Sequence, residues 1–404
     1  MRHGLIFASA LVAVASFGCG SDDGEDRTFN DSRAQGEEGC KPGEARCVDS
    51  RGAALCPVNT GFPGDAYALC APANEQEGVL LRYGPQSVNG APPTPEEIAK
   101  YTIAPGAEVE DCVYVRSTNT QDIYVDAYHG RMRPNSHHLI VTMLPEERAA
   151  GLELNKQVPC NQAEALGDVW LLGSQDPQID ITIEGGGAGV KAAKEGDPEF
   201  GSGQLIKANQ LMRIDMHYIN TTDKPLLKEA WVYLRAVPKE KVKQLVDMIT
   251  FFQGAIYVPP GATGVKTARA GCEAPTDRYI NLVTGHFHEH GTRFTVWHDK
   301  LDGSSEMIYD TRDWDVPGNA FYNYRVKNPA MDDKAIWGAK TGYVQVKKGE
   351  KLSFECEFSN PSSTPVRFGE LGKDQMCNIF GLYYPTDGGP WSCACAGTIC
   401  LATQ

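Results

Sequence analysis

Short runs of alternating apolar and polar residues repeat along this 404-residue chain, and they constrain its fold more than any other feature. Runs such as DCVYVRS (111–117), QLMRIDMHYI (210–219) and RFTVWHD (293–299) have the period of two that a half-buried β-strand requires. Turn-forming residues, among them Pro85 and Gly349, separate the runs. Many short strands divided by turns are typical of β-sandwiches, so we predict an all-β fold.

Helical patterns are scarce, and the best candidates are TPEEIAKY (94–101) and PKEKVKQLVDMI (238–249). The chain is too long for one ordinary core, and the second candidate helix lies near its middle. We therefore predict two tandem antiparallel, jelly-roll-like β-sandwich domains, the first over residues 76–237 and the second over 238–404.

The N-terminus has the features of an export signal. Residues 5–17 (LIFASALVAVASF) form an apolar run that follows Arg2 and is too short to span a bilayer. The signal peptide, residues 1–19, ends in a sequence that resembles a bacterial lipoprotein processing site, with Cys19 as the lipid-carrying residue. An ordinary secretion signal is the alternative. In both cases the protein is exported, and we expect a cell-envelope protein anchored by lipid to the outer membrane, facing the periplasm or the cell surface.

Export also explains the cysteines. Removing Cys19 from the thirteen leaves twelve, which is enough for up to six disulfides in an oxidising compartment. Zinc thiolate sites are disfavoured because no pair has CxxC spacing. Cys393 and Cys395 are too close in sequence to bond each other, so we expect separate partners for them.

Two segments precede the sandwiches. Residues 20–39 are polar and acidic, which predicts a flexible linker. Residues 40–75 form a small module that disulfides must stabilise, because so short a segment buries too little apolar surface. Its four cysteines are Cys40, Cys47, Cys56 and Cys70.

The charge of the chain limits its partners. A net charge of −14 and a pI near 5.2 argue against nucleic-acid binding and against a basic membrane-binding surface. We expect membrane contact only through the N-terminal lipid. Nothing in the sequence indicates an oligomeric state.

Five of the nine histidines and one methionine fall into two sets of three metal-ligand residues. The first set consists of His137, His138 and His217, and the second of His286, His288 and Met376. Imidazole binds copper in both oxidation states, and thioether sulfur favours Cu(I). The two sets therefore predict copper.

On a regular strand, the two histidine pairs differ in which face their side chains point to. His286 and His288 are two apart, so on a strand both side chains point to the same face. His290 continues this spacing, as a third ligand or as a support behind the ligands, and we favour the support. His137 and His138 are adjacent, so one ion can bind both only if the backbone bends or bulges there.

The segments around these residues resemble a known family. SHHLIVTM, MHYIN, HFHEHGTR and DQMCNIFGLYY are similar to the four metal-site segments of the copper type II, ascorbate-dependent monooxygenases. These are the relatives of peptidylglycine α-hydroxylating monooxygenase and dopamine β-monooxygenase, and the resemblance covers residues 80–395 in the same order. It implies two β-sandwich domains that each hold one copper, two ions per chain, on facing surfaces of an open cleft.

The resemblance also implies separate roles for the two sets. The set of His137, His138 and His217 matches the electron-transfer copper. The set of His286, His288 and Met376 matches the catalytic copper that binds O2. The implied disulfides are Cys112–Cys160, Cys356–Cys377, and Cys272 with Cys393 or Cys395; the other tail cysteines would pair with each other or with the N-terminal module.

The substrate-binding positions depart from the family pattern. Asn378 matches a residue that hydrogen-bonds substrate. Thr284 stands where the peptide-amidating branch has an arginine that holds a carboxylate, and Phe380 replaces a tyrosine. We therefore expect C–H hydroxylation of a small apolar or weakly polar molecule with O2, and with ascorbate or another one-electron reductant as electron donor.

Two other classes of function compete with an enzyme. One is a non-catalytic copper-binding or copper-storage lipoprotein of the envelope. The other is a structural or adhesion protein, which six intact ligand residues argue against because a scaffold has no reason to keep them.

Overall fold

A computed structural model describes most of the folded chain, namely residues 45–48, 53–65, 67–87, 91–133, 136–160, 169–174, 178–184, 193–314, 317–318, 320–322, 335–337, 343–369, 374–386 and 388–402. The predicted signal peptide with Cys19, the predicted linker 20–39 and Cys40 lie outside these residues. The described part is all-β, as the alternating runs predict, and it forms β-sandwiches with disulfides. No helix in this part is long and apolar enough to cross a bilayer.

The N-terminal module is a small antiparallel sheet of β1 (Cys47–Val48), β2 (Ala54–Pro57) and β3 (Tyr67–Leu69). A disulfide joins Cys56 to Cys70, and Cys47 is also disulfide-bonded. The apolar residues of the module pack against Trp231 and Tyr233 of the following sandwich, so the module docks on that domain.

Two sheets form the first sandwich. Sheet A has the order β10-β8-β13-β6-β9, with the strands β6 (Glu108–Arg116), β8 (Ser136–Met143), β9 (Gln157–Pro159), β10 (Val169–Ser174) and β13 (Leu211–Ile219). Sheet B has the order β16-β12-β7-β15-β4, with the strands β4 (Gly78–Tyr83), β7 (Ile123–Met132), β12 (Ser202–Ile206), β15 (Ala230–Val237) and β16 (Gln244–Leu245) and with β11 (Gln178–Thr182) paired to β7. A short ribbon pairs β5 (Thr102–Ile103) with β14 (Leu226–Leu227).

Two further sheets form the second sandwich. Sheet C has the order β24-β21-β29-β17-β30-β31, with the strands β17 (Asp247–Gln253), β21 (Arg278–Phe287), β24 (Ala320–Phe321), β29 (Cys377–Tyr384), β30 (Trp391–Ala396) and β31 (Ile399–Ala402) and with β26 (Val344–Val346) paired to β21. Sheet D has the order β19-β27-β22-β23-β25, with the strands β19 (Val265–Lys266), β22 (Gly291–Asp299), β23 (Ser305–Thr311), β25 (Ala335–Trp337) and β27 (Lys351–Phe358) and with β20 (Ala270–Glu273) paired to β27. A ribbon joins β18 (Tyr257–Val258) to β28 (Val366–Arg367).

Most strand pairs are antiparallel, and the described exceptions are β12 with β16 and β17 with β30. Alternate residues along β29 of sheet C pack into two different apolar cores. On β29, Ile379 and Tyr383 point into the second sandwich, whereas Leu382 and Tyr384 belong to the same apolar cluster as the first. The two sandwiches therefore share an apolar boundary.

One helix prediction is confirmed and one is wrong. Helix α1 (Pro95–Lys100) forms where expected, and Thr94 caps it by accepting a hydrogen bond from the backbone N–H of Glu97. The segment 238–249 contains only a 3₁₀ turn, Lys239–Lys241, before the chain enters β16 and β17. Val246 and Met248 are two apart and both buried in the first core, so burial with strand period overrides the local helical preference.

Candidate metal centre

His138 and His217 of the first ligand set lie on the face of sheet A that points away from the core of its own sandwich. Every residue of β13 except Ile219 is buried. The residues Met212, Ile214, Met216 and Tyr218 pack into the first core. The polar residues Arg213, Asp215 and His217 alternate with them and share the opposite face. At this face, the ring of His138 contacts that of His286 in the second sandwich, whereas Tyr114, the partner of Arg213, packs against Leu144 and Leu152 of the first.

A β-bulge resolves the problem of two adjacent histidines. His138 pairs directly with His217, but the next residue of β13, Tyr218, pairs with Ser136, so the register shifts at His137. One extra residue in a strand is the backbone irregularity that adjacent ligands require. The imidazoles of His138 and His217 lie with ring centroids 5.1 Å apart. The side chain of His137 is outside the described part of the structure.

The second ligand set lies at the end of β21 and the start of β29. His286 pairs with Asn378 and Phe287 with Cys377, and continuing this register sets His288 opposite Met376. The Nε2 atoms of His286 and His288 are 3.2 Å apart. Two ligand atoms on one tetrahedral ion with bonds of about 2.0 Å are about 3.3 Å apart, so this spacing fits a shared metal ion.

Hydrogen bonds select one nitrogen in two of these imidazoles. Nδ1 of His288 lies 3.0 Å from the backbone oxygen of Asp374, two residues before Met376. Donation by Nδ1 leaves Nε2 as the ligand atom. Nε2 of His217 lies 2.8 Å from Oε1 of Glu108, which in the same way leaves Nδ1 as the atom that could bind a metal.

The two ligand sets are in contact. The ring centroids of His138 and His286 are 6.0 Å apart, and those of His286 and His288 are 5.1 Å apart. The open cleft that the resemblance implies does not separate the described ligands here. Trp170 of sheet A stacks on Phe380 of sheet C at a centroid distance of 4.3 Å, and this aromatic pair packs the sandwiches together.

Phe380 and Trp170 form an aromatic cluster with Phe252 beside the second set. Phe252 lies 6.1 Å from Phe380 and 6.3 Å from Trp170, centroid to centroid. The ring of Phe380 is also 6.2 Å from that of His286. An apolar surface therefore adjoins the second ligand set.

The other predicted substrate-binding residues have identified contacts. Nδ2 of Asn378 donates to Sδ of Met376 over 3.4 Å. The buried Oδ1 of Asn378 has no hydrogen-bond donor among the residues that the structure describes. Thr284 donates its hydroxyl to the backbone oxygen of Gly318, 2.8 Å away.

His290 does not join either set within the described contacts. It lies in the turn after β21, which the N–H of Gly291 closes by donating to the oxygen of His288. Nε2 of His290 is 3.8 Å from the carboxylate of Glu289.

The disulfides that the resemblance implies are present. Cys112–Cys160 lies beside the first set, and Cys356–Cys377 fixes the residue next to Met376. Cys272 bonds to Cys393, and Cys395 bonds to Cys400 within the tail. Cys395 and Cys400 are direct partners across the β30–β31 hairpin, which leaves Cys393 for Cys272.

Sequence reasoning missed the carboxylates of the first set and the tryptophan of the aromatic cluster. Glu108 and Glu110 have the strand spacing that places both on one face of β6, and Asp215 is two residues before His217. That spacing was a usable signal. Only the pairing of the strands brings these groups together.

Comparison with known proteins adds no functional information. No protein-family model and no curated protein matches the chain. Among solved structures, PNGF-II has a TM-score of 0.23 at 11% identity, with 67% of this chain and 59% of that chain covered. This chain thus spans less than two thirds of PNGF-II. The PBSX exported protein XepA has a TM-score of 0.15 at 9% identity, with 85% of this chain and 99% of that chain covered. The structure of infectious bursal disease virus Gx strain has a TM-score of 0.16 at 10% identity, with 79% of this chain and 74% of that chain covered. Likenesses this weak support no inference about fold or function.

Proposed function

We propose that this protein is a copper-dependent monooxygenase that hydroxylates a C–H bond of a small, apolar or weakly polar substrate. The observation that carries the proposal is the 3.2 Å spacing of the His286 and His288 Nε2 atoms, at the end of a strand pair in which Cys377, the residue after Met376, is the partner of Phe287. Two imidazoles and a thioether form a donor set suited to copper that cycles between Cu(II) and Cu(I). His137, His138 and His217 would hold the second copper of the chain.

Copper held by these residues supplies one-electron redox chemistry and O2 activation, which C–H hydroxylation requires. The overall reaction takes the substrate C–H, O2, two electrons and two protons to an alcohol and water. An external one-electron reductant, such as ascorbate, would provide both electrons in turn. The contact between the rings of His138 and His286 offers a short path for an electron between the two sets.

The protein would contribute substrate position and exclusion of water. The rings of Phe380, Phe252 and Trp170 provide an apolar surface beside His286. The buried Oδ1 of Asn378 can accept one hydrogen bond from a weakly polar group. Thr284 carries no charge that could hold a carboxylate, so an anionic substrate is disfavoured.

Replacing Met376 by Ala tests the assignment. We expect the variant to lose turnover and to retain about one copper ion, because the thioether belongs to one set only. Copper stoichiometry is measured together with O2 uptake and oxygenated product, using reduced, copper-loaded protein and a panel of small apolar substrates. Met307→Ala is the matched control, since Met307 is also half-buried but lies on β23 of sheet D.

Retained turnover in Met376→Ala would refute the role of this set. Two bound copper ions with no product from any substrate would favour a copper-binding or copper-storage protein. Zinc in place of copper in the purified protein would contradict the proposal as a whole.

We also propose that the chain is exported and anchored to the envelope through a lipid on Cys19. The disulfides of the described part support an oxidising compartment. A Cys19→Ser variant should lose the lipid mass and leave the membrane fraction. If unmodified protein fractionates as soluble and carries no lipid by mass spectrometry, an ordinary secretion signal is the correct interpretation.

A further inference from the structure

Three neighbouring strands bring carboxylates to the first ligand set. β8, β13 and β6 are adjacent in sheet A, and His217 pairs with His138 on one side and with Glu110 on the other. Directly paired residues project from the same face of a sheet. Asp215, two residues from His217 on β13, shares this face.

These side chains converge on one point. One potential ligand atom each from Glu110, His138 and Asp215 lies within 4.8 Å of the others. Nε2 of His138 is 3.8 Å from Oε1 of Glu110. Asp215 and His138 are only 1% and 6% exposed, so the group is enclosed by protein.

Enclosure has an energetic consequence. Two carboxylates held close together in a low-dielectric site repel each other, and a cation between them relieves that repulsion. Arg213, also buried on this face of β13, is the competing source of positive charge. A metal ion would add direct bonds to oxygen and nitrogen at distances that small side-chain movements can reach.

We propose that Glu110 and Asp215 join His138, beside His217, in a mixed imidazole–carboxylate site for a divalent cation of the Cu(II) or Zn(II) class. Imidazole and carboxylate together suit these ions, whereas Cu(I) prefers softer ligands. The thioether of Met376 gives the second set the opposite preference. This inference rests on the proposed function for its location, but it requires only metal binding and no turnover.

The carboxylates also distinguish the roles of the two sets. Anionic ligands stabilise the ion of higher charge, so copper at the first set would be held preferentially as Cu(II). A site that favours Cu(II) gives up an electron readily. This is the property that an electron donor to the second set needs.

The test compares Glu110→Gln with the unmodified mature chain. Affinities for Cu(II) and Zn(II) are measured by chelator competition, and the affinity for Cu(I) is measured anaerobically. We expect the affinity of the first set for Cu(II) and Zn(II) to fall by about tenfold or more and its affinity for Cu(I) to fall less. The affinities of the second set should not change. Glu153→Gln, an exposed carboxylate in an ion pair with Lys156, is the control.

A measurement on the unmodified chain covers the case in which Glu110→Gln fails to fold. X-ray absorption of the zinc form should then show a mixed shell of imidazole and carboxylate ligands at the first set. Unchanged affinities in a folded variant, an imidazole-only shell, or no divalent cation at the first set would each overturn the inference. Carboxylate-dependent binding without any oxygenated product would uphold it while refuting the monooxygenase.

Discussion

At the scale of single residues, the candidate metal centre depends on hydrogen bonds and close packing around the imidazoles. The backbone oxygen of Asp374 orients His288, and the carboxylate of Glu108 orients His217. Gly285 precedes the first histidine of the second set, and a Cβ at this position would lie 2.6 Å from the ring of Phe294. The absence of a side chain therefore lets β21 pack closely on β22.

Gly285→Ala should destabilise the protein by about 1–3 kcal/mol, because the added methyl group overpacks a filled core. It should also weaken copper binding at the second set more than at the first, since His286 is the next residue. Urea unfolding midpoints and copper titration measure the two effects. Gly173→Ala, a strand glycine with open space around its Cβ position, should be nearly neutral; equal losses in both variants would contradict the argument.

At the scale of strands, parity and pairing decide what each side chain meets. The even-numbered residues of β13 form core, and its odd-numbered polar residues lie on the opposite face of sheet A. The bulge at His137 supplies the irregular backbone that an adjacent histidine pair needs if both are to reach one ion. Trp170 on β10 stacks on Phe380 of β29.

Trp170→Ala should loosen the contact between the sandwiches, because it removes the stack on Phe380. We expect a loss of about 3–5 kcal/mol in the free energy of unfolding. Amide hydrogen exchange should rise in β10, β17 and β29 and stay unchanged in sheet D. The control is Trp297→Ala. Trp297 lies on β22 of sheet D, and its indole packs against Arg269. Unchanged exchange at β17 and β29 would show that the stack does not hold the sandwiches together.

At the scale of the whole molecule, apolar packing joins two sandwiches and a small module. The first core includes Met248, Leu282 and Leu382 from the second half, which keeps the two ligand sets in contact. Sheet B also contains a buried cluster of ionisable side chains. His129 and Arg131 on β7 both contact the carboxylate of Asp180 on β11, at 2.7 and 3.1 Å.

Acid should destabilise the fold. Burial alone raises the pKa of Asp180, but the hydrogen bond from His129 and the charge of Arg131 outweigh it, so its pKa lies below the ordinary value of 3.8. The unfolded chain then takes up the proton first. The stabilisation is complete above that ordinary value and is lost as the pH falls from about 4 through the folded-state pKa.

The measurement is the melting temperature between pH 7 and pH 3. Asp180→Asn should be less stable at pH 7 by about 3 kcal/mol, since it removes one partner of a buried ion pair. Its melting temperature should also fall less steeply below pH 4. An Asp180→Asn curve parallel to that of the unmodified chain would show that this carboxylate does not contribute to the acid dependence.

The part of the fold that follows from local chemistry was predictable. Period-two alternation predicts strands wherever one face is buried, and the spacing of His286 and His288 predicts a shared face. The segment 238–249 shows the limit of this reasoning. Its residues carry both helical and strand patterns, and pairing with β12 and β29 decides between them.

The sequence by itself determined the strand content, the need for disulfides and the six candidate ligands, because each depends on residue type and short-range spacing. Only the tertiary structure decided which strands are neighbours. It brought Glu110 to His217, Trp170 to Phe380 and one ligand set to the other. These contacts join residues far apart in the sequence, and they form because burying apolar faces fixes strand order and domain packing together.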